Sequence, residues 1–234
     1  MARSLLIIGP PASGKSSSIR NLKGEDTFII TPNTKELPFP GSTTQFKRLN
    51  AANPNGNVFV TESLDQISDA LLHANNNPTI KHVIVDDFSH YLTHRVLSET
   101  FIDDKGFTKW NVLGASVYKA LFSVLEELRE DLTVIIMHHI EIKEDGSIAE
   151  KTAGKLMDNT IMVSSWFSVV LHARVLDKEG TPLYRFQTNK ASIYLAKSPP
   201  GMFSELYVKN DLKEILDSME SYYAGTSKNE VIFN

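Results

Sequence analysis

The sequence predicts an α/β fold with a mostly parallel central sheet, helices on both faces and a late antiparallel hairpin. Three observations predict it. Short unbroken apolar runs (Leu5 to Ile8, Val83 to Val85, Leu132 to Met137) read as strands buried on both faces. Segments with apolar residues at helical spacing lie between these runs, and strands alternating with helices form parallel sheets. The turn Asp177-Lys178-Glu179-Gly180 separates two further strand-like runs, as in a hairpin.

The elements follow in chain order. Leu5 to Ile8 is the first strand. Pro10 to Ser17 follows as a loop, then a short helical stretch to Leu22, with Gly24 as its C′ residue. Thr27 to Ile30 is the second strand. Residues 31–57 carry Pro32, Pro38, Pro40 and Pro54 and read as a long loop, with an edge strand at Val58 to Val60. Ser63 and Gln66 form a capping box ahead of a helix whose inner face is Leu64, Ile67, Leu71 and Ala74. Asn75-Asn76-Asn77-Pro78 stops it. His82 to Asp87 is a strand ending in two carboxylates, followed by a helix over about 89–101. Trp110 to Arg129 gives the clearest helix, with Leu113, Val117, Ala120, Leu121, Val124 and Leu128 inward. The strand Leu132 to Met137 leads into His138-His139. Residues 140–157 are polar and read as a loop with a turn at Asp145-Gly146. Trp166 to Val175 and Pro182 to Gln187 flank the hairpin turn, and a short strand is expected over Ser192 to Ala196. Asp211 caps a last helix with Leu212, Ile215, Leu216 and Met219 inward.

The 234 residues show no convincing linker or repeat, so residues 1–224 are expected to form a single domain and 225–234 a loose tail. There is no cysteine, which excludes disulfides and Cys-ligated zinc or iron–sulfur sites. With 24 basic and 28 acidic side chains, a nucleic-acid contact must be local or depend on assembly. No run approaches the roughly 18 apolar residues of a membrane span, and the four apolar residues before Gly9 are too few for a secretory signal. The expected setting is a soluble protein of an intracellular compartment.

Gly9-x-x-x-x-Gly14-Lys15-Ser16 satisfies the phosphate-loop pattern, with a strand before it and a helix after. The glycines let successive backbone N–H groups turn inward toward phosphate oxygens. The following helix start adds partial positive charge. Lys15 would reach the β- and γ-phosphates, and the Ser16 hydroxyl would ligate Mg²⁺. Gly9, Pro11, Ala12, Ser13, Gly14, Lys15, Ser16 and Ser17 are therefore the candidate nucleotide-binding residues, with ATP and Mg²⁺ as the expected cofactors.

Asp86, at the tip of the Val83–Val85 strand, is the candidate second Mg²⁺ residue, acting through water. Asp87 could orient or deprotonate an attacking water, and Glu36 beyond the second strand competes for that role. His139 or His138, at the end of the following strand, could sense the γ-phosphate and pass its state to the 140–157 segment. That segment mixes Lys143, Lys151 and Lys155 with Glu141, Glu144, Asp145 and Glu150. Lys197, then Arg185 and Lys190, are candidates to complete a neighbouring subunit's site. His90 and His94 have the i, i+4 spacing of zinc ligands, without an evident third. Asn189-Lys190-Ala191-Ser192 lacks the aspartate of a guanine-specificity motif.

The Gly9–Ser16 loop, the Val83–Asp87 strand, Met137-His138-His139, and Ala196-Lys197-Ser198-Pro199-Pro200-Gly201-Met202-Phe203 together resemble the small phage-encoded AAA/RecA-like ATP-binding proteins related to single-strand annealing and recombination ATPases. The resemblance runs from about residue 3 to 224. It implies a RecA-like (ASCE) P-loop NTPase, hydrolysis of Mg-ATP, assembly into a homo-oligomeric ring or filament, and work on single-stranded DNA in the host cytoplasm. A nucleotide-dependent regulatory module with slow hydrolysis is the main alternative. A small-molecule kinase is a further one, weakened by the lack of an arginine-rich lid.

Overall fold

The computed structural model describes residues 2–98, 108–144, 146–151, 162–191, 193–227 and 229. Its strands are β1 (Arg3–Gly9), β2 (Thr27–Thr31), β3 (Val58–Val60), β4 (His82–Val85), β5 (Thr133–Ile142), β6 (Ile148–Glu150), β7 (Val169–Lys178), β8 (Thr181–Gln187) and β9 (Tyr207–Lys209). The helices are α1 (Ser42–Gln45), α2 (Asp65–Asn76), α3 (Phe88–Leu97), α4 (Thr108–Val117), α5 (Ser123–Glu127) and α6 (Leu212–Tyr223). The sheet order is β3-β2-β4-β5-β1-β7-β8-β9, with β6 attached to β5. From β3 to β7 every pairing is parallel, while β8, β9 and β6 join antiparallel. The protein is thus α/β with a mostly parallel mixed sheet. Among the described residues, no helix is long and apolar enough to cross a membrane.

Side chains alternate across the sheet, so each central strand feeds two cores. Leu6 and Ile8 of β1, with Val134 and Ile136 of β5, pack under α2, α3, α4 and α5. Leu5 and Ile7, with Ile135 and Met137, pack under the 3₁₀ turn Ser16–Asn21 and α6. This two-sided burial is why these strands read as continuous apolar runs.

Most expected elements are present, including β3 at the sheet edge and the β7–β8 hairpin. Asp211 caps α6 by accepting from the Lys213 amide at 3.1 Å. Several details differ. The stretch after the phosphate loop is a six-residue 3₁₀ turn, so it carries little macrodipole. Gly24 does not adopt a left-handed C′ conformation. It is required because a Cβ there would lie 2.2 Å from the Gln45 carbonyl oxygen. The expected Ser63 capping box is replaced by Thr61, which bonds both the Ser63 amide and the Gln66 side chain.

The Trp110–Arg129 helix is interrupted by a π-turn over Tyr118–Phe122. One extra residue in that turn shifts the inward face, so Phe122 and Leu125 are buried and Val124 only partly. The expected 140–157 loop is instead a hairpin at its start, because β5 continues to Ile142 and pairs with β6. Residues 152–161 of that segment, including Lys155, lie outside the described residues, as do 99–101 of the expected 89–101 helix. Of the expected Ser192–Ala196 strand only bridges from Ala191 to Tyr194 and from Lys197 to Val170 form, and Ser192 is outside the described residues. Within the expected tail, the Thr226 and Ser227 amides donate to the Ser221 carbonyl, and residues from 230 on are not described.

Candidate functional site

The sheet order places β5 between β1 and β4, so the carboxyl ends of three parallel strands meet. Each delivers one piece of a cavity of about 590 Å³. β1 runs into the phosphate loop, β4 ends at Asp86-Asp87, and β5 brings His139 level with Gly9.

The loop's shape is set by its small residues. A Cβ on Gly9 would lie 2.6 Å from Ser13 Oγ and 2.9 Å from the Ala173 carbonyl oxygen. Gly14 has φ +91°, and a Cβ there would lie 2.8 Å from the Tyr184 ring. Ala12 is also left-handed, at φ +60°, a strained state for a residue with a Cβ. Such alternation of conformations turns successive amides toward one concavity.

Lys15 is only 6% exposed. Its Nζ donates to the Gly9 carbonyl at 2.9 Å and the Pro10 carbonyl at 3.0 Å, and meets His139 Nδ1 at 3.2 Å. Burial lowers its pKa from 10.5 to about 8, although Asp86 and then Asp87 pull the other way. The imidazole is oriented by its partners. Asp87 Oδ1 lies 3.1 Å from Nε2, so the neutral ring carries its proton on Nε2 and accepts from Lys15 at Nδ1. The same His139 contact is the main reason the Asp87 carboxyl is held below its ordinary range.

Ser16 Oγ donates to Asp86 Oδ2 at 3.0 Å. Burial pushes the Asp86 carboxyl up, with the Ser16 hydrogen bond opposing it. A hydroxyl and a buried carboxylate this close form a hard oxygen pair. They fit Mg²⁺, whose adjacent octahedral ligands at about 2.1 Å stand about 3 Å apart. The cation would also supply the charge that Asp86 lacks.

Asp87 adopts φ +54° as the chain leaves β4 for α3, a conformation aspartate tolerates better than most residues. Ser89, one turn on, accepts from the His139 amide at 2.8 Å and pairs with His138 Nδ1 at 3.0 Å. The two histidines are thereby separated in role. His138 is fully buried, and burial lowers its pKa to about 3, so it stays neutral in the core. His139 alone faces the cavity.

Pro11 to Ser17, Asp86, Asp87, Glu36 and His139 all line this cavity, and Glu36 is exposed on its far wall beside Lys35 and Leu37. Lys197, Lys190 and Arg185 do not line it. Lys197 is exposed beside β7, and Arg185 is on β8. Tyr184 and Asn210 were not foreseen. Tyr184, 43% exposed, stands over Gly14, and Asn210 packs against the same glycine. Nothing local in the sequence marks either, because β8 and the end of β9 reach the loop only through the fold. No protein-family model matches the chain, and no curated protein matches it.

Proposed function

We propose that the chain binds ATP with Mg²⁺ in this cavity and hydrolyses it, as an ATPase of RecA-like architecture. The observation that carries the reading is the convergence of Lys15, Ser16, Asp86, Asp87 and His139 at the ends of β1, β4 and β5. The insertion of β5 between the phosphate-loop strand and the Asp86 strand supports the RecA-like assignment.

In this reading the loop amides and Lys15 cradle the phosphates. Ser16 holds the ion directly and Asp86 through water. The ion offsets the negative charge that develops across the β- and γ-phosphates. Asp87 fixes the imidazole of His139, which faces the γ-phosphate end through its contact with Lys15. Glu36 or Asp87 orients the attacking water.

His139 lies where β5 continues into the β5–β6 hairpin, and its carbonyl accepts from Lys151. The phosphate state is thereby linked to the segment proposed to meet single-stranded DNA, residues 140–157. The exposed Glu141, Lys143 and Glu144 there have mixed signs, so contact would rely on assembly rather than on net charge. A homo-oligomeric ring or filament in a host cytoplasm, with Lys197, Arg185 or Lys190 reaching a neighbour's site, completes the proposal for a phage recombination or replication protein.

One observation favours the alternative of a regulatory module with slow turnover: the Asp87 carboxylate is already committed to His139 and is a weakened base. A kinase reading gains nothing, since among the described residues no arginine lines the cavity. ATP turnover titrated with single-stranded, double-stranded and no DNA decides among them. Stimulation by single strands supports the motor. Slow turnover indifferent to DNA supports the module, and no turnover with Lys15 intact and ATP bound removes the ATPase.

A further inference from the structure

The histidine pair on α3 acquires in the fold the partner that the sequence did not reveal. Glu62, between β3 and α2, places Oε2 3.2 Å from His94 Nε2 and Oε1 3.6 Å from His90 Nε2. One carboxylate thus faces two imidazoles, one oxygen each. The two rings are nearly parallel, 12° apart, one helical turn from each other. All three side chains are 41–53% exposed, so an ion could enter without unfolding anything.

Among the described residues no three such groups are already closed around an ion. Without a metal, neutral imidazoles and a carboxylate relax into N–H···O contacts, and those are the contacts seen. Replacing each shared proton by one metal ion keeps much the same spacing. With Zn–N and Zn–O bonds of about 2.0–2.2 Å, tetrahedral ligand atoms stand about 3.3–3.5 Å apart. The observed separations of 3.2 and 3.6 Å bracket that edge.

We infer that Glu62, His90 and His94 form a surface site for a divalent transition-metal ion of the zinc type, completed by water. Nitrogen-rich ligation selects such ions over Mg²⁺, which prefers oxygen. The site is distinct from the phosphate cavity, whose lining includes none of the three. It is one turn away, however, because the His90 amide donates to the Asp87 carbonyl at 2.8 Å. An ion there would tie the turn that carries Asp87 to the β3–α2 connection.

The test uses the full chain without nucleotide, in millimolar Mg²⁺. Zn²⁺ is titrated calorimetrically, and Co²⁺ is followed by its visible absorption. One tightly bound ion per chain and the intense bands of four-coordinate cobalt are expected. His94→Ala should weaken Zn²⁺ binding by more than about tenfold and erase the bands, with Glu62→Gln also erasing the bands. Lys15→Ala, which removes the nucleotide site, should leave both readouts unchanged. No binding by the wild type, equal binding by wild type and His94→Ala, or only the weak spectrum of six-coordinate cobalt overturns the assignment.

Discussion

Lys15→Met separates the electrostatics of the phosphate loop from its chemistry, because methionine keeps the apolar stem and removes the charge. In the folded chain the ammonium titrates at about 8 rather than 10.5, with burial as the main cause. That gap is worth about 3.4 kcal/mol at about 1.36 kcal/mol per pH unit. At pH 7 the lysine is protonated whether folded or unfolded, so the folded state bears the whole cost. Above pH 8 the folded protein releases this proton while the unfolded chain keeps it until about 10.5. Stability therefore rises with pH across that window. By pH 9.5 wild type should recover about 2 kcal/mol of the cost relative to Lys15→Met. For a chain of this size that is about 4–8 °C in melting temperature. Urea and thermal melts of both proteins, free of Mg²⁺ and nucleotide, at pH 7, 8.5 and 9.5 read the difference. The variant should also fail to bind ATP. A wild-type-minus-variant difference that stays flat with pH would refute a desolvated ammonium in the loop.

Gly14→Ala forces a Cβ into a left-handed position 2.8 Å from Tyr184. It should cost about 1–3 kcal/mol in urea melts, with Tyr184→Ala in the same chain restoring part. Asp86→Asn removes a buried carboxylate, so the apo protein should melt no lower than wild type. Its turnover should fall at least about 100-fold, and ATP binding measured by calorimetry should lose its Mg²⁺ dependence. His139→Asn should retain ATP binding but lower the ratio of ATP to ADP affinity and remove any stimulation by single-stranded DNA; an unchanged ratio denies it a sensing role. Lys197→Ala should lower turnover at assembling concentrations and spare ATP binding by the isolated subunit. Equal activity across concentrations excludes its action in trans.

How much was legible follows from how local each signal is. Gly9, Gly14, Lys15 and Ser16 are contiguous, so backbone conformation and chemistry are written in one stretch. Asp86 is legible because a buried strand that ends in a carboxylate is unusual without a partner. The two histidines could not be told apart in sequence. Which enters the core depends on strand register, and pairing of β5 with β1 sets His138 beside Ile8 and His139 beside Gly9. Glu62 was invisible as a partner for His90 and His94 because the β3–α2 connection meets α3 only in the folded chain. The β5–β6 hairpin was missed for another reason. Its residues are polar and half-exposed, and only mutual pairing makes them strands.

The hydrogen bonds of Lys15 also limit what a phosphate can do on arrival. An ammonium has three protons, and here all three are used: two on loop carbonyls and one on His139. The carbonyl contacts belong to the loop itself and hold the side chain in place. Reorienting them would leave buried acceptors unpaired, at about 1–3 kcal/mol each. The proton facing His139 is the one an incoming phosphate oxygen can take at least cost, because the imidazole is partly exposed and keeps its bond to Asp87. A ligand that reaches Lys15 therefore frees Nδ1 of His139, and one that stops short does not. Discrimination between a third phosphate and its absence is thus expected at this nitrogen, upstream of the β5–β6 hairpin, without any movement of the sheet.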